Sequence, residues 1–132
     1  MADKINLEIV TPTKVVLNTE VDEVAAPGAL GEFGVLPGHV PFITTLSPGL
    51  VKYSKGSSEK SFFIPGGIFN VEGDKAKILT ESAEIPSDID SAEANQQLED
   101  IQNLIEGFSG SKKELTELNK KLKLAEARVE AS

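Results

Sequence analysis

The chain opens with a period of two. Ile5, Leu7 and Ile9 alternate with Lys4, Asn6 and Glu8, which predicts a strand with one buried face. Val15 and Leu17 continue the alternation beyond the Thr11-Pro12 turn, and Val21, Val24 and Ala26 form the next run. Val35 and Leu36 follow the glycine-rich stretch 31–34, and Phe42 to Leu46 come after them. Leu50, Val51 and Tyr53 lead into Lys55-Gly56-Ser57, from which Phe62, Phe63 and Ile64 return. Ile68, Phe69 and Val71 meet Glu72-Gly73-Asp74, a tight-hairpin signal, and Ala76 to Leu79 come back. Turn signals recur about every 8–12 residues, the spacing of an antiparallel sandwich or barrel.

Near Pro86 the period changes. Ala94, Leu98, Ile101, Ile105 and Phe108 are spaced 4, 3, 4, 3, and Leu115, Leu118, Leu122, Ala125 and Val129 are spaced 3, 4, 3, 4. Each set is a single apolar stripe on an amphipathic helix. Asp90 with Glu93, and Ser111 with Glu114, fit capping boxes that open the two helices, and Gly107 fits a stop for the first. The short link Gly107-Phe108-Ser109-Gly110 favours an antiparallel αα-hairpin. The organisation read from the pattern is a β-sandwich domain over 1–86 and a helical hairpin domain over 87–132. A lone pair of helices is marginal, so the hairpin needs the β domain or a partner to dock on.

Charge and composition then remove several function classes. The 132 residues include 13 basic and 21 acidic side chains, a net charge of −8. The two halves carry −4 each, so no charged tail is set apart. Such a chain repels phosphate backbones and anionic lipid, which argues against nucleic acid and against direct membrane insertion. No apolar run approaches the roughly 20 residues that span a bilayer. The N-terminus is patterned from the start, with no leader evident. With no cysteine and one histidine, thiol chemistry, Cys-ligated metals and multi-His metal sites are excluded.

Candidate chemistry is sparse. The stretch Gly28–Gly34 lacks the spacing and the following helix of a phosphate loop, and reads as a β-turn and bulge region. Pro65-Gly66-Gly67 offers glycines without a nucleophile, and reads as a close approach of two strands. His39 sits between Pro37 and Pro41 with no nucleophile motif nearby, which leaves it a structural or protein-contact residue. Asp88 and Asp90 fall at a helix N-terminus, where capping accounts for them. Two classes survive: a structural or regulatory subunit of a larger assembly, and a small-ligand binding module. The apolar stripes and the proline-fixed apolar loop favour the first.

Certain residue blocks resemble a known family. Val10-Thr11-Pro12, then Gly31-Glu32-Phe33-Gly34-Val35-Leu36-Pro37-Gly38-His39-Val40-Pro41, resemble the GEFGILPGHxP signature of the epsilon subunits of F-type ATP synthases. Gly66-Gly67-Ile68-Phe69-Asn70-Val71 resembles the second signature of that family, GGxxxV. Ile78 to Glu84, followed by Asp88-Ile89-Asp90, resembles its join between domains, and the likeness runs in order along essentially the whole chain. It implies a flattened β-sandwich of about ten strands followed by two antiparallel helices. It implies a non-catalytic rotor subunit of the central stalk, partnered by the gamma subunit and the c-ring. It places the subunit peripherally, on the cytoplasmic face of the bacterial inner membrane, without a cofactor or metal of its own. The hairpin, closed through Ala94, Leu98, Ile101, Ile105, Leu115, Leu118, Leu122, Ala125 and Val129, would reach the alpha/beta head and inhibit hydrolysis when extended.

The same likeness assigns a c-ring contact to a loop over Glu32–His39, with Glu32, Phe33, Leu36 and His39 as its contact residues. Many bacterial members also bind ATP at the hairpin through an [IL]-D-x-x-R-A motif. Here Glu84, Asp90 and Ala94 match that pattern, but the arginine is replaced by Glu93, and Arg128 is the only arginine in the chain. The nucleotide site is therefore degenerate, and capping by Asp90 and Glu93 is the favoured reading.

Overall fold

The computed structural model describes residues 4–38 and 41–132. The chain divides into two compact units, Met1–Ile85 and Pro86–Ser132. The first holds nine strands: β1 (Ile5–Val10), β2 (Val15–Val21), β3 (Glu23–Gly28), β4 (Gly31–Val35), β5 (Phe42–Leu46), β6 (Gly49–Lys55), β7 (Ser58–Ile64), β8 (Gly67–Glu72) and β9 (Lys75–Leu79). Among the described residues the count is nine, with one further isolated bridge between Phe63 and Glu84, where the family likeness implies about ten.

Hydrogen bonding runs through the strands in the order β2-β1-β9-β8-β5-β3-β6-β7, with β4 added to β3. The step from β5 to β3 is a single pair, Gly28 with Leu46, so the sheet folds over at that narrow joint. The two layers face each other through aromatic rings. Phe33 on β4 meets Phe42 on β5 and Phe69 on β8 edge-on, with centroids 5.6 and 5.5 Å apart. Ile5, Leu7, Ile9, Val21, Val24, Ala26, Val51, Phe69, Val71 and Ile78 complete a core sealed from solvent. Burying each large side chain of this kind contributes about 1.5–3 kcal/mol.

β1 shows the predicted alternation, with Ile5, Leu7 and Ile9 inside. Val15 departs from its predicted place. A register shift between Ile9 and Val10 sets Leu17 opposite Ile9 but Val15 opposite Val10, on the outer face, and Val15 is exposed. The Pro65-Gly66-Gly67 stretch is the close approach that its glycines suggest. Gly67 has φ +153, and a Cβ there would stand 2.2 Å from the Leu79 carbonyl oxygen.

Two aspartates tie the connections at one end of this unit. Asp22, in the β2–β3 corner, accepts from Lys4 Nζ and from the Gly56 N–H at 2.7 Å. Asp74, in the β8–β9 turn, accepts from the Gly38 N–H at 3.3 Å, while its own carbonyl takes the Asn6 N–H at 2.7 Å. The bond from Lys4, then that from Gly56, holds the Asp22 carboxyl below its ordinary pKa.

The second unit opens on a 3-10 turn, Pro86–Asp88, and continues as α1 (Ser91–Glu106) and α2 (Lys112–Ala131). Asp90 caps α1, accepting from the N–H groups of Ala92 and Glu93 at 2.9 and 3.2 Å. Ser111 caps α2, accepting from the Glu114 N–H at 3.1 Å and donating to Glu114 Oε1 at 3.2 Å. Gly107 ends α1 at φ −91, ordinary right-handed backbone rather than a left-handed stop. At Gly110 the tip of the Phe108 ring takes the place a Cβ would occupy, 2.6 Å away.

Two outcomes follow from this fold. Gly67→Ala forces a side chain into left-handed backbone against a carbonyl. The backbone strain alone costs about 1–3 kcal/mol, so urea unfolding should show at least that loss. Asp22 is more acidic folded than unfolded, so the stability it confers is complete above about pH 4 and drains as pH falls through the folded value. Urea midpoints taken from about pH 6 down to about pH 3 should therefore fall more steeply for the parent than for Asp22→Asn. Parallel profiles would remove Asp22 from the account.

Candidate functional site

The proposed contact segment is not one loop. Gly31–Val35 forms strand β4, paired with β3 through Val24–Val35, Ala26–Phe33 and Gly28–Gly31. Glycine makes this pairing fit: a Cβ on Gly28 would stand 2.8 Å from the Gly31 carbonyl oxygen, at the mouth of a two-residue turn. The expected loop over Glu32–His39 is corrected accordingly: the strand runs to Val35, Leu36 leaves it, and Pro37 and Gly38 form a turn.

The four candidate contact residues separate. Glu32 lies on the outer face of β4, exposed, with Lys52 Nζ 3.6 Å from its carboxylate. Phe33 points the other way and spends its ring on Phe42 and Phe69. It therefore anchors the strand from beneath. Leu36 is 58% exposed, just past the end of β4. His39 lies outside the described residues. Pro37 and Gly38 follow Leu36, with Gly38 at φ +81 and its N–H on Asp74. The sequence reading missed Asp74 and Lys52, because one comes from a turn and the other from a strand, both remote in sequence.

An open depression of about 260 Å³ adjoins Glu32, lined by Glu23, Ala25, Lys52, Tyr53, Ser54 and Glu59. Burial pushes the Tyr53 hydroxyl above its ordinary pKa, so it stays protonated at neutral pH. A broader depression of about 770 Å³ on the opposite layer is lined by charged and amide side chains, among them Glu8, Asn18, Asn70 and Lys77. Neither has the apolar lining of a small-molecule pocket. Among the described residues, no three His, Cys, Asp or Glu side chains group as a metal site. No helix of the described residues is long and apolar enough to cross a membrane.

The outer face of one layer carries an apolar row. Val15, Val10, Leu79 and Ile68 are register partners on β2, β1, β9 and β8, and Thr45 on β5 continues the row beside Ile43. Val15, Leu79, Ile68 and Ile43 are all exposed. With strands about 4.8 Å apart, four partners in a row span roughly 15 Å.

In the hairpin, Ala94 and Ala125 are buried, and Leu98, Ile101, Ile105, Leu115, Leu118, Leu122 and Val129 are half-buried. The three residues matching the nucleotide pattern are engaged in structural bonds. Asp90 caps α1, Ala94 is buried, and the Glu84 backbone bridges Phe63 with N–H···O distances of 2.9 and 2.7 Å. Glu93 does not complete the expected capping box by reaching back. Its carboxylate faces Arg128 Nη1 at 3.8 Å, on the other helix.

The chain was compared with proteins already known. Residues 4–86 match the family model described as ATP synthase, Delta/Epsilon chain, beta-sandwich domain. The ATP synthase epsilon chain of Geotalea uraniireducens (strain Rf4) is 50% identical over 98 residues, covering 74% of this chain and 71% of that one. ATP synthase epsilon chain 2 of Syntrophotalea carbinolica is 40% identical over 132 residues, covering 100% of this chain and 96% of that one. Among solved structures, a chain of the Euglena gracilis mitochondrial ATP synthase OSCP/F1/c-ring complex matches with TM-score 0.85 at 22% identity, over 96% of this chain and 80% of that one. A chain of the Tetrahymena thermophila mitochondrial ATP synthase central stalk/c-ring matches with TM-score 0.65 at 15% identity, over 96% of each chain. These two show a shared fold, and the matches to the family model and the epsilon chains settle the lineage: the protein belongs to the delta/epsilon-chain family of the ATP synthase.

Proposed function

We propose that the chain is a non-catalytic central-stalk subunit that couples ion flow through the c-ring to ATP synthesis. The observation that carries this reading is the end of the sandwich where Leu36 is exposed on a turn tied to Asp74. A part that passes torque needs a contact that costs little ordering entropy, and a proline-fixed turn hydrogen-bonded to its neighbour supplies one. Leu36, His39 and the outward carboxylate of Glu32 meet the ring, while Phe33 fixes the strand behind them. The solved complexes that share this fold are a c-ring assembly and a central stalk with its c-ring, which supports the same placement.

A gamma-type subunit covers the apolar row Val15–Val10–Leu79–Ile68, which would otherwise leave Val15, Leu79 and Ile68 exposed to water beside the half-buried Val10. The sandwich domain over 1–86 serves the ring and gamma. The hairpin domain over 87–132 serves regulation, reaching the alpha/beta head and slowing hydrolysis when it extends. Catalysis stays with the head subunits, and the chain sits peripherally on the cytoplasmic face of the membrane-bound complex. No cofactor is required for any of this.

Glu32→Lys and Leu36→Asp test the ring contact. The Glu32–Lys52 pair is exposed and worth at most about 1 kcal/mol, so both isolated variants should fold. In the assembled synthase they should loosen the stalk from the ring and lower ATP synthesis per ion moved. Normal coupling in both would reject this segment as the foot. Titration calorimetry of the isolated chain with millimolar Mg-ATP should show no saturable binding. Glu93 sets a negative charge where phosphate recognition calls for arginine, and a helix N-terminus returns only about 0.3–1 kcal/mol. A dissociation constant well below a millimolar would restore an ATP-gated hairpin.

A further inference from the structure

At the open end of the hairpin, where α1 begins and α2 finishes, the apolar stripe of the two helices thins, while Ile89 just ahead of α1 is buried. The stripe there narrows to Ala94 and Ala125, with Val129 half-buried. Two methyl groups allow the helices to come close but remove little surface from water. Polar contacts are concentrated at the same place. Arg128 Nη1 donates to Gln97 Oε1 at 3.0 Å and stands 3.8 Å from Glu93 Oε1. Gln97 Nε2 donates to that same Glu93 oxygen at 3.5 Å. Glu93 and Gln97 are one turn apart on α1, so one guanidinium from α2 meets both acceptors. The Arg128 side chain is 17% exposed while the Glu93 side chain is 57% exposed, so the guanidinium is the sheltered partner and the carboxylate remains open to water.

We propose that Glu93, Gln97 and Arg128 form a clasp that closes the open end of the hairpin without a ligand and fixes the register of α1 against α2. The clasp needs arginine. A planar fork can serve an amide and a carboxylate together, whereas an ammonium on a flexible stem is a single point charge. It also turns the chain's only arginine toward Gln97 and Glu93.

The test is a double-mutant cycle on the full chain, read by amide hydrogen exchange of residues 93–97 and 127–129. Arg128→Ala and Glu93→Ala should each speed exchange about two- to fivefold, the range for a partly shielded ion pair. Glu93 also favours the helix N-terminus on its own account, so the single changes do not decide the matter. The double variant should be less affected than the product of the two singles, and Arg128→Lys, which keeps the charge but loses the fork, should lose part of the protection. Molar salt should narrow the gap between parent and Arg128→Ala. Independent, multiplicative effects in the cycle would overturn the clasp. If Arg128→Ala melts the hairpin outright, the same cycle built on Arg128→Lys and Glu93→Gln decides: coupled effects support the clasp, and independent effects overturn it.

Discussion

The sandwich depends on one pairing that joins its beginning to its end. β1 lies parallel to β9, with Leu7 opposite Ala76 and Ile9 opposite Ile78, and all four side chains are sealed from solvent. Parallel neighbours need a long connection, and here it is the rest of the domain. β2 to β8 all lie within that connection. The pairing also brings the start of β1 beside the β8–β9 turn, where the Asn6 N–H bonds the Asp74 carbonyl. Asp74 holds Gly38 as well, so the exposed Leu36 turn takes its position from the same closure.

The hairpin is held differently. Its stripes are mostly half-buried, and its ends rely on caps at Asp90 and Ser111 and on the Arg128 contacts. Each cap is worth about 0.5–2 kcal/mol and the exposed ion pair at most about 1 kcal/mol. A sandwich with a sealed core and a hairpin with shallow, polar ties suit different tasks. A sealed core resists deformation, and shallow polar ties are exchanged at small cost.

Much of this was legible in the sequence because it is local. Strand β1, the Gly73-Asp74 hairpin, both helical stripes and both N-caps follow from patterns within a few residues. Strand β4 was not legible, because Gly31 and Gly34 leave no side chains to alternate and the segment passes for a loop. Val15 was placed on the wrong face because a bulge at Ile9/Val10 breaks a period that the sequence continues. The parallel β1–β9 pairing, the Glu32–Lys52 pair and the meeting of Glu93 with Arg128 join residues far apart in the chain, which periodicity does not reach.

The central claim is that the Leu36 end of the sandwich is the foot on the c-ring. The native chain has no cysteine, so one introduced thiol is unique within it. Leu36→Cys marks the foot, and Thr13→Cys marks the exposed turn beyond the far end of β1, about 20 Å away along six strand residues. Each variant, carrying a short photo-crosslinker and assembled into the synthase, would be illuminated and its adducts identified by mass spectrometry. The account predicts adducts with c subunits from position 36 and none from position 13. Adducts with c subunits from position 13 alone would invert the orientation and contradict it.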